Sequence, residues 1–439
     1  MDVNQPIVLD NGSHSLKVGY AGEEVPAAVI PTLVGSPKHR RALPGTREGG
    51  GGGGGGGGVA AAGDEGPPID YALPPPSSPI GGGGGDGGGG GVDGSGLPLP
   101  PPPPPPPRGG RYVGTDAATA RGVLRLSWPM AAGAVTSWPD IEALWTSAVV
   151  GVLGADPAAH PLLLTEAANS SRRHRRALVG AALEALGAPR VYVGLPPVLA
   201  LYATGRLGGV GVDVGDTVTQ VVPVVDGYVV AGGVRRVDLG GRDVTARLVG
   251  LLRKSGHSFA TTAEREVVRE MKEACCYVAA NPRLDTFASL AAAPPTVYTL
   301  PDGQEIPLTA ERSLAPEALF TPSLAGSESP GLPALIADAI DASPLDARRR
   351  LWSSVLLSGG STLYRGFGGR LLGDLAARTP RPSVRVRVTA PAERRYLPFI
   401  GGSLVANLST FRGMCVGAAE WREQGERVLF QKTFTGAPF

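Results

Sequence analysis

Two stretches about 200 residues apart run to one pattern. Ile7-Val8-Leu9-Asp10-Asn11-Gly12-Ser13-His14-Ser15-Leu16-Lys17-Val18 is an apolar run, a polar turn and a second run of alternating apolar residues. Val210-Gly211-Val212-Asp213-Val214-Gly215-Asp216-Thr217-Val218-Thr219-Gln220-Val221-Val222 repeats it. Each predicts a β-hairpin with Asp-x-Gly where the first strand closes. A chain that uses this unit twice is constrained to a duplicated core.

The segments between fit that frame. Gly122 to Leu126 and Pro161 to Thr165 predict strands, as do Val191 to Val193 and Val355 to Leu357. Helical spacing of Ile141, Leu144, Trp145, Ala148, Val149 and Val152 predicts a helix that Pro139 can start. Arg172 to Leu186 and Thr262 to Ala280 predict two more, the second with Ala263, Val267, Val268, Met271 and Cys275 on one face. Strands alternating with helices give an α/β class.

Composition separates one tract from the rest. Of 66 Gly and 43 Pro, residues 49–110 hold 26 and 15, and that segment is expected to be disordered with short polyproline-II pieces such as Pro100 to Pro107. It reads as a tolerated loop, a translated intron, or an arm whose proline block engages polyproline-binding partners. A net charge of +2 supplies no field for nucleic acid or an anionic membrane. Cys275, Cys276 and Cys415 cannot build a disulfide framework, and neither a secretory leader nor an 18-residue apolar run is recognised, so a soluble cytosolic or nuclear protein is expected.

Glycine and serine in a hairpin turn let backbone N–H groups converge on an anion. Gly12, Ser13, Ser15 and Lys17 have that chemistry, although an Asn-Gly hairpin alone is ordinarily a turn. The second hairpin shifts the balance: Asp10 and Asp213, each at a strand end, would face one another across a cleft and hold a hydrated Mg²⁺. A P-loop is absent, Gly209-Val210-Gly211 feeds a hairpin in place of a helix, and the five histidines lack metal-ligand spacing. The charges of the helix at 262–280 read by default as a solvated face.

A series of motifs adds a resemblance. Asp10-Asn11-Gly12-Ser13, Lys17 to Gly22, Pro31 to Gly35, His160 to Ala167, Leu201 to Arg206, Thr262 to Glu266, Ser358 to Thr362 and Ile400 to Ser403 are similar, in order, to signatures of the actin family. Asn4 to Val8, Gly35 to His39, Cys276-Tyr277 with Asn281-Pro282, and Ser361 to Gly368 resemble its centractin branch, the filament-forming part of dynactin.

The resemblance implies an actin-like α/β fold, a duplicated ribonuclease-H-like core in two domains around a nucleotide cleft, with ATP or ADP and Mg²⁺ as ligands. The first phosphate loop falls on Asp10, Gly12, Ser13, Ser15 and Lys17, and the second on Asp213, Gly215 and Asp216. The adenosine pocket falls on Gly241, Arg269, Lys272, Glu273, Gly359, Gly360, Tyr364 and Arg395; Asp10 and Asp213 hold Mg²⁺ through water. Subdomain 1 is expected at 1–31, 129–203 and 397–439, subdomain 2 at 32–128 with the insertion 47–110, subdomain 3 at 204–239 and 329–396, and subdomain 4 at 240–328. Implied partners are copies of the chain in a filament, dynactin-type components and, through them, dynein, in the cytoplasm and cytoskeleton.

Five positions depart from the family pattern. His14 replaces a small residue of the first loop, Thr217 a glycine of the second, and Ala132 a histidine. Pro196 falls where the family has the glutamine that orients the attacking water, and Gln220 where it has the assisting histidine. Asp213 and Gln220 are then the catalytic candidates left, and ATP hydrolysis is expected to be slow at most. Rival readings are a sugar kinase or chaperone ATPase on the same core, a conventional-actin-like filament protein, and a monomeric actin-related subunit of a nuclear chromatin complex.

Overall fold

The computed structural model describes residues 5–38, 111–282, 294–379 and 383–432. The Gly/Pro-rich tract and the Pro100 to Pro107 block lie outside the described residues.

The opening pattern forms a hairpin, β1 (Ile7–Asn11) and β2 (Ser15–Tyr20), continued by β3 (Ala28–Pro31). Next come β4 (Val34–Pro37), β5 (Tyr112–Val113) and β6 (Leu124–Ser127), a small sheet with β4 in the middle. Helix α1 (Trp138–Thr146) leads through a π-helical turn to β7 (Leu162–Thr165), α2 (Arg172–Gly180) and β8 (Arg190–Gly194). Ser171 caps α2, its hydroxyl accepting the His174 N–H. The expected helix positions are buried from Ile141 to Val149, but Val152 is half exposed because the helix unwinds there.

After α3 (Pro196–Ala203) the second hairpin appears as β9 (Gly209–Val214) and β10 (Thr219–Val225), followed by β11 (Tyr228–Val229) and β12 (Arg235–Val237). Helices α4 (Gly241–Lys254) and α5 (Thr262–Cys275) precede β13 (Val355–Ser358), α6 (Phe367–Ala376), β14 (Val388–Thr389), α7 (Leu397–Ala406) and β15 (Val416–Gly417). Helix α5 stops at Cys275, short of the expected Ala280. Beyond it Tyr277 N–H donates to the Arg312 carbonyl and Val278 N–H to that of Arg365, so tertiary pairing takes over the backbone.

Two sheets carry the fold, in the orders β15-β8-β7-β1-β2-β3 and β11-β10-β9-β13-β14, with β12 also on β10. In each, an antiparallel hairpin lies parallel to a later strand: β1 to β7, and β9 to β13. The strands β7, β9 and β13 are buried along their whole length, as sheets covered on both faces require. Helices α3 and α7 pack together beside the sheets. Gly401 permits this, since a Cβ there would collide with the Leu199 carbonyl. The expected duplication is thus present in strand pairing as well as in sequence.

Candidate functional site

The duplication puts equivalent side chains at equivalent ends. Asp10 is next to last in β1 and faces Lys17 across its hairpin; Asp213 is next to last in β9 and faces Gln220. The last residue of the neighbouring parallel strand supplies each with a hydroxyl. Thr165 Oγ1 donates to Asp10 Oδ1 at 2.9 Å, and Ser358 Oγ to Asp213 Oδ1 at 2.9 Å. Lys17 Nζ lies 3.1 Å from Asp10 Oδ2. These carboxylates stand at the carboxyl ends of parallel strands, where α/β sheets bind ligands.

Both open on one cavity of about 430 Å³. Fourteen of the sixteen residues expected to bind ligand line it; Gly241 and Arg269 do not. The Gly241 carbonyl stands behind the wall and accepts from Lys272 Nζ at 2.9 Å. Arg269 is held along α5 by Glu266 and Glu273, at 2.8 and 2.9 Å. Those charges therefore form one paired network, with Lys272 buried at its inner edge. Pro196 and Gln220 also line the cavity.

Electrostatics follow from burial. Burial pushes the Asp213 carboxyl up to about 6; the Ser358 hydroxyl opposes this and the Asp10 charge adds to it. Burial lowers Lys272 as well, against the pull of Asp216 and Glu273. The His14 ring lines the cavity, and burial first, then Arg269, lowers its pKa while Asp216, Glu273 and Glu266 raise it.

The residues fit a phosphorylated ligand with a divalent cation. Tyr364 Oη is buried in the lining and meets no hydrogen-bond partner among the described residues, as suits a wall that takes a polar ligand atom. Only one of the three Lys272 N–H donors meets an acceptor among the described residues. Gly359 turns at φ 90°, a conformation that favours glycine, and keeps the chain beside it clear of side chain. A cation between Asp10 and Asp213 would favour the charged form of both.

Several residues at this site escaped the sequence reading. Thr165 and Ser358 stood inside recognisable motifs without a role, because strand adjacency decides it. Glu166 follows β7 and is wholly buried, accepting from Arg175 Nε at 2.7 Å and pairing with His174 Nδ1 at 3.0 Å. His174 Nε2 accepts the Val135 N–H at 3.0 Å, so this histidine is packed. Gln220 is occupied too: its Oε1 accepts the Ala168 N–H at 2.6 Å, and its Nε2 lies 3.5 Å from Asp213 Oδ2.

Comparison with known proteins decides the family. A profile of the family described as Actin matches residues 1–434. The chain belongs to the actin family. It is also 38% identical over 425 residues to a protein of Neurospora crassa named actin-like protein, covering 96% of each chain. Its fold is accordingly the actin fold, with mixed α/β content in several sheets. No helix among the described residues is long and apolar enough to cross a membrane.

Proposed function

We propose that this member of the actin family binds ATP or ADP with Mg²⁺ between its two Asp-x-Gly hairpins and serves as a structural cytoskeletal subunit of the centractin type. The observation that carries the reading is the convergence of Asp10 and Asp213 on one cavity, each held by a hydroxyl from the adjacent parallel strand and accompanied by Lys17 and Lys272.

Asp10 and Asp213 would hold Mg²⁺ through water, leaving its remaining positions to water and phosphate oxygen. Bound there, the cation neutralises phosphate charge. Gly12, Ser13, Ser15, Lys17, Gly215 and Asp216 would form the two loops facing the phosphates. Lys272, Glu273, Gly359, Gly360, Tyr364 and Arg395 would surround the nucleoside, with Gly241 and Arg269 supporting them from behind. The subdomain boundaries given above follow the same reading. In it, the chain assembles with copies of itself and with dynactin-type components, and acts with dynein in the cytoplasm.

Hydrolysis is slow in this reading. Placing a water in line with the terminal phosphate needs a side chain that can hydrogen-bond it, and Pro196 has none. Gln220 spends its carbonyl oxygen on Ala168 N–H. The ligand then acts mainly by stabilising the folded chain through mass action.

The test is thermal denaturation with and without ATP·Mg²⁺. The nucleotide should raise the melting temperature of the wild type, and Asp10→Ala combined with Asp213→Ala should abolish the rise. A double variant that keeps the full shift would remove this site from consideration.

A further inference from the structure

Ser13 and Thr217 belong to different hairpins, 204 residues apart, yet the Thr217 hydroxyl donates to Ser13 Oγ at 2.7 Å. The same Thr217 oxygen accepts the Gly133 N–H at 3.3 Å. All three residues are buried. Gly133 and Ser13 line the cavity. The Gly133 amide can only donate, and with the Thr217 hydrogen directed at Ser13 the order runs from Gly133 to Thr217 to Ser13. Having accepted, Ser13 keeps its own hydrogen for an acceptor in the cavity. Successive hydrogen bonds of this kind polarise one another.

The join depends on the threonine side chain. The position carries glycine in the family pattern, which has no hydroxyl to offer, whereas threonine also brings a stiff χ1 that holds the oxygen in place. A second tie lies beside it: Arg242 pairs with Asp216 at 2.8 Å and donates to the Ser13 carbonyl at 3.4 Å. Both hairpins are therefore fastened to each other by protein groups.

We propose that Thr217 is a positioning residue of this cavity: it clasps the two phosphate-facing hairpins together and turns the Ser13 hydroxyl outward as a donor to a phosphate oxygen, so that bound nucleotide leaves slowly. This rests on the nucleotide reading above and adds the residue that governs release.

Two measurements on the full chain test it, for wild type, Thr217→Val and Thr217→Ser. The first is loss of a preloaded fluorescent ATP analogue chased with excess ATP. The second is amide hydrogen exchange of nucleotide-free protein in residues 12–16 and 215–218. Valine keeps the shape and removes the hydroxyl, so release should be roughly three- to tenfold faster, the range expected for one buried hydrogen bond. Both loops should lose protection while the rest of the chain keeps it, and the serine variant should behave like wild type. Release and loop exchange equal to wild type in the valine variant overturn the proposal. A wild type that holds no nucleotide defeats the nucleotide reading alone, and loop exchange then decides whether the clasp exists. If the valine variant does not fold, Thr217→Ala carries the same comparisons.

Discussion

Tyr364 and Pro196 show how single side chains betray a site. The Tyr364 hydroxyl is buried without a partner among the described residues, a state that costs about 1–3 kcal/mol in a folded protein. Tyr364→Phe should therefore leave the melting temperature of nucleotide-free protein unchanged or raised, while the increase produced by ATP becomes smaller. A lower melting temperature without nucleotide would mean that the hydroxyl has a stabilising partner. Pro196 begins α3 at a position where a missing N–H costs nothing, which is why the helix tolerates it. At matched occupancy, Pro196→Gln should release phosphate at least tenfold faster than wild type; equal rates would shift attention to Gln220. At this scale the sequence was informative where a residue's chemistry is local. Asp10 and Asp213 could be read from strand and turn alone. Thr165 and Ser358 could not, because what makes each a partner is a parallel neighbour more than 140 residues away.

Elements were legible at their starts more than at their ends. Helix α5 opens with a capping box: the Thr261 hydroxyl accepts the Glu264 N–H at 3.2 Å, and Glu264 Oε2 accepts the Thr261 N–H at 2.9 Å. Such residues announce themselves in the sequence, whereas the stop at Cys275 depends on Arg312 and Arg365, which belong to other segments. Thr261→Ala should cost about 1 kcal/mol, seen as a lower urea midpoint at unchanged slope. Backbone N–H groups of Thr261 and Ala260 hold the Glu264 carboxyl below its ordinary value. A lowered carboxylate stabilises above its unfolded pKa and loses that contribution as pH falls through the folded one. The stability deficit of Glu264→Ala should accordingly be full at pH 7 and shrink on acidification below about pH 4.5.

For the whole molecule, strand register pairs the described residues on either side of the long Gly/Pro-rich tract. Val34 pairs antiparallel with Val113 and Gly35 with Tyr112, on one sheet. Removing Glu48 to Gly109 should therefore preserve folding and nucleotide affinity, because the closure entropy of a flexible loop changes by only about 0.6 kcal/mol for each doubling of its length. Loss of the cooperative melting transition in the deletion variant would show that the tract is structural.

The first sheet has a further consequence, for synthesis. Its outer strand β15 comes from Val416 and Gly417, and Val8 of β1 shares a core with Phe399 and Phe411. A nascent chain thus makes β1 early and waits for some 390 residues before their partners exist, about 20–80 s at ordinary rates of translation. Throughout that interval the Val8 face has Ala21, Leu163 and Leu199 but lacks its Phe399 and Phe411 cover, and that incomplete face is available to other chains. The order in which the ribosome delivers these segments thus sets how long one face of the amino-terminal sheet stays exposed, independent of how stable the finished fold becomes.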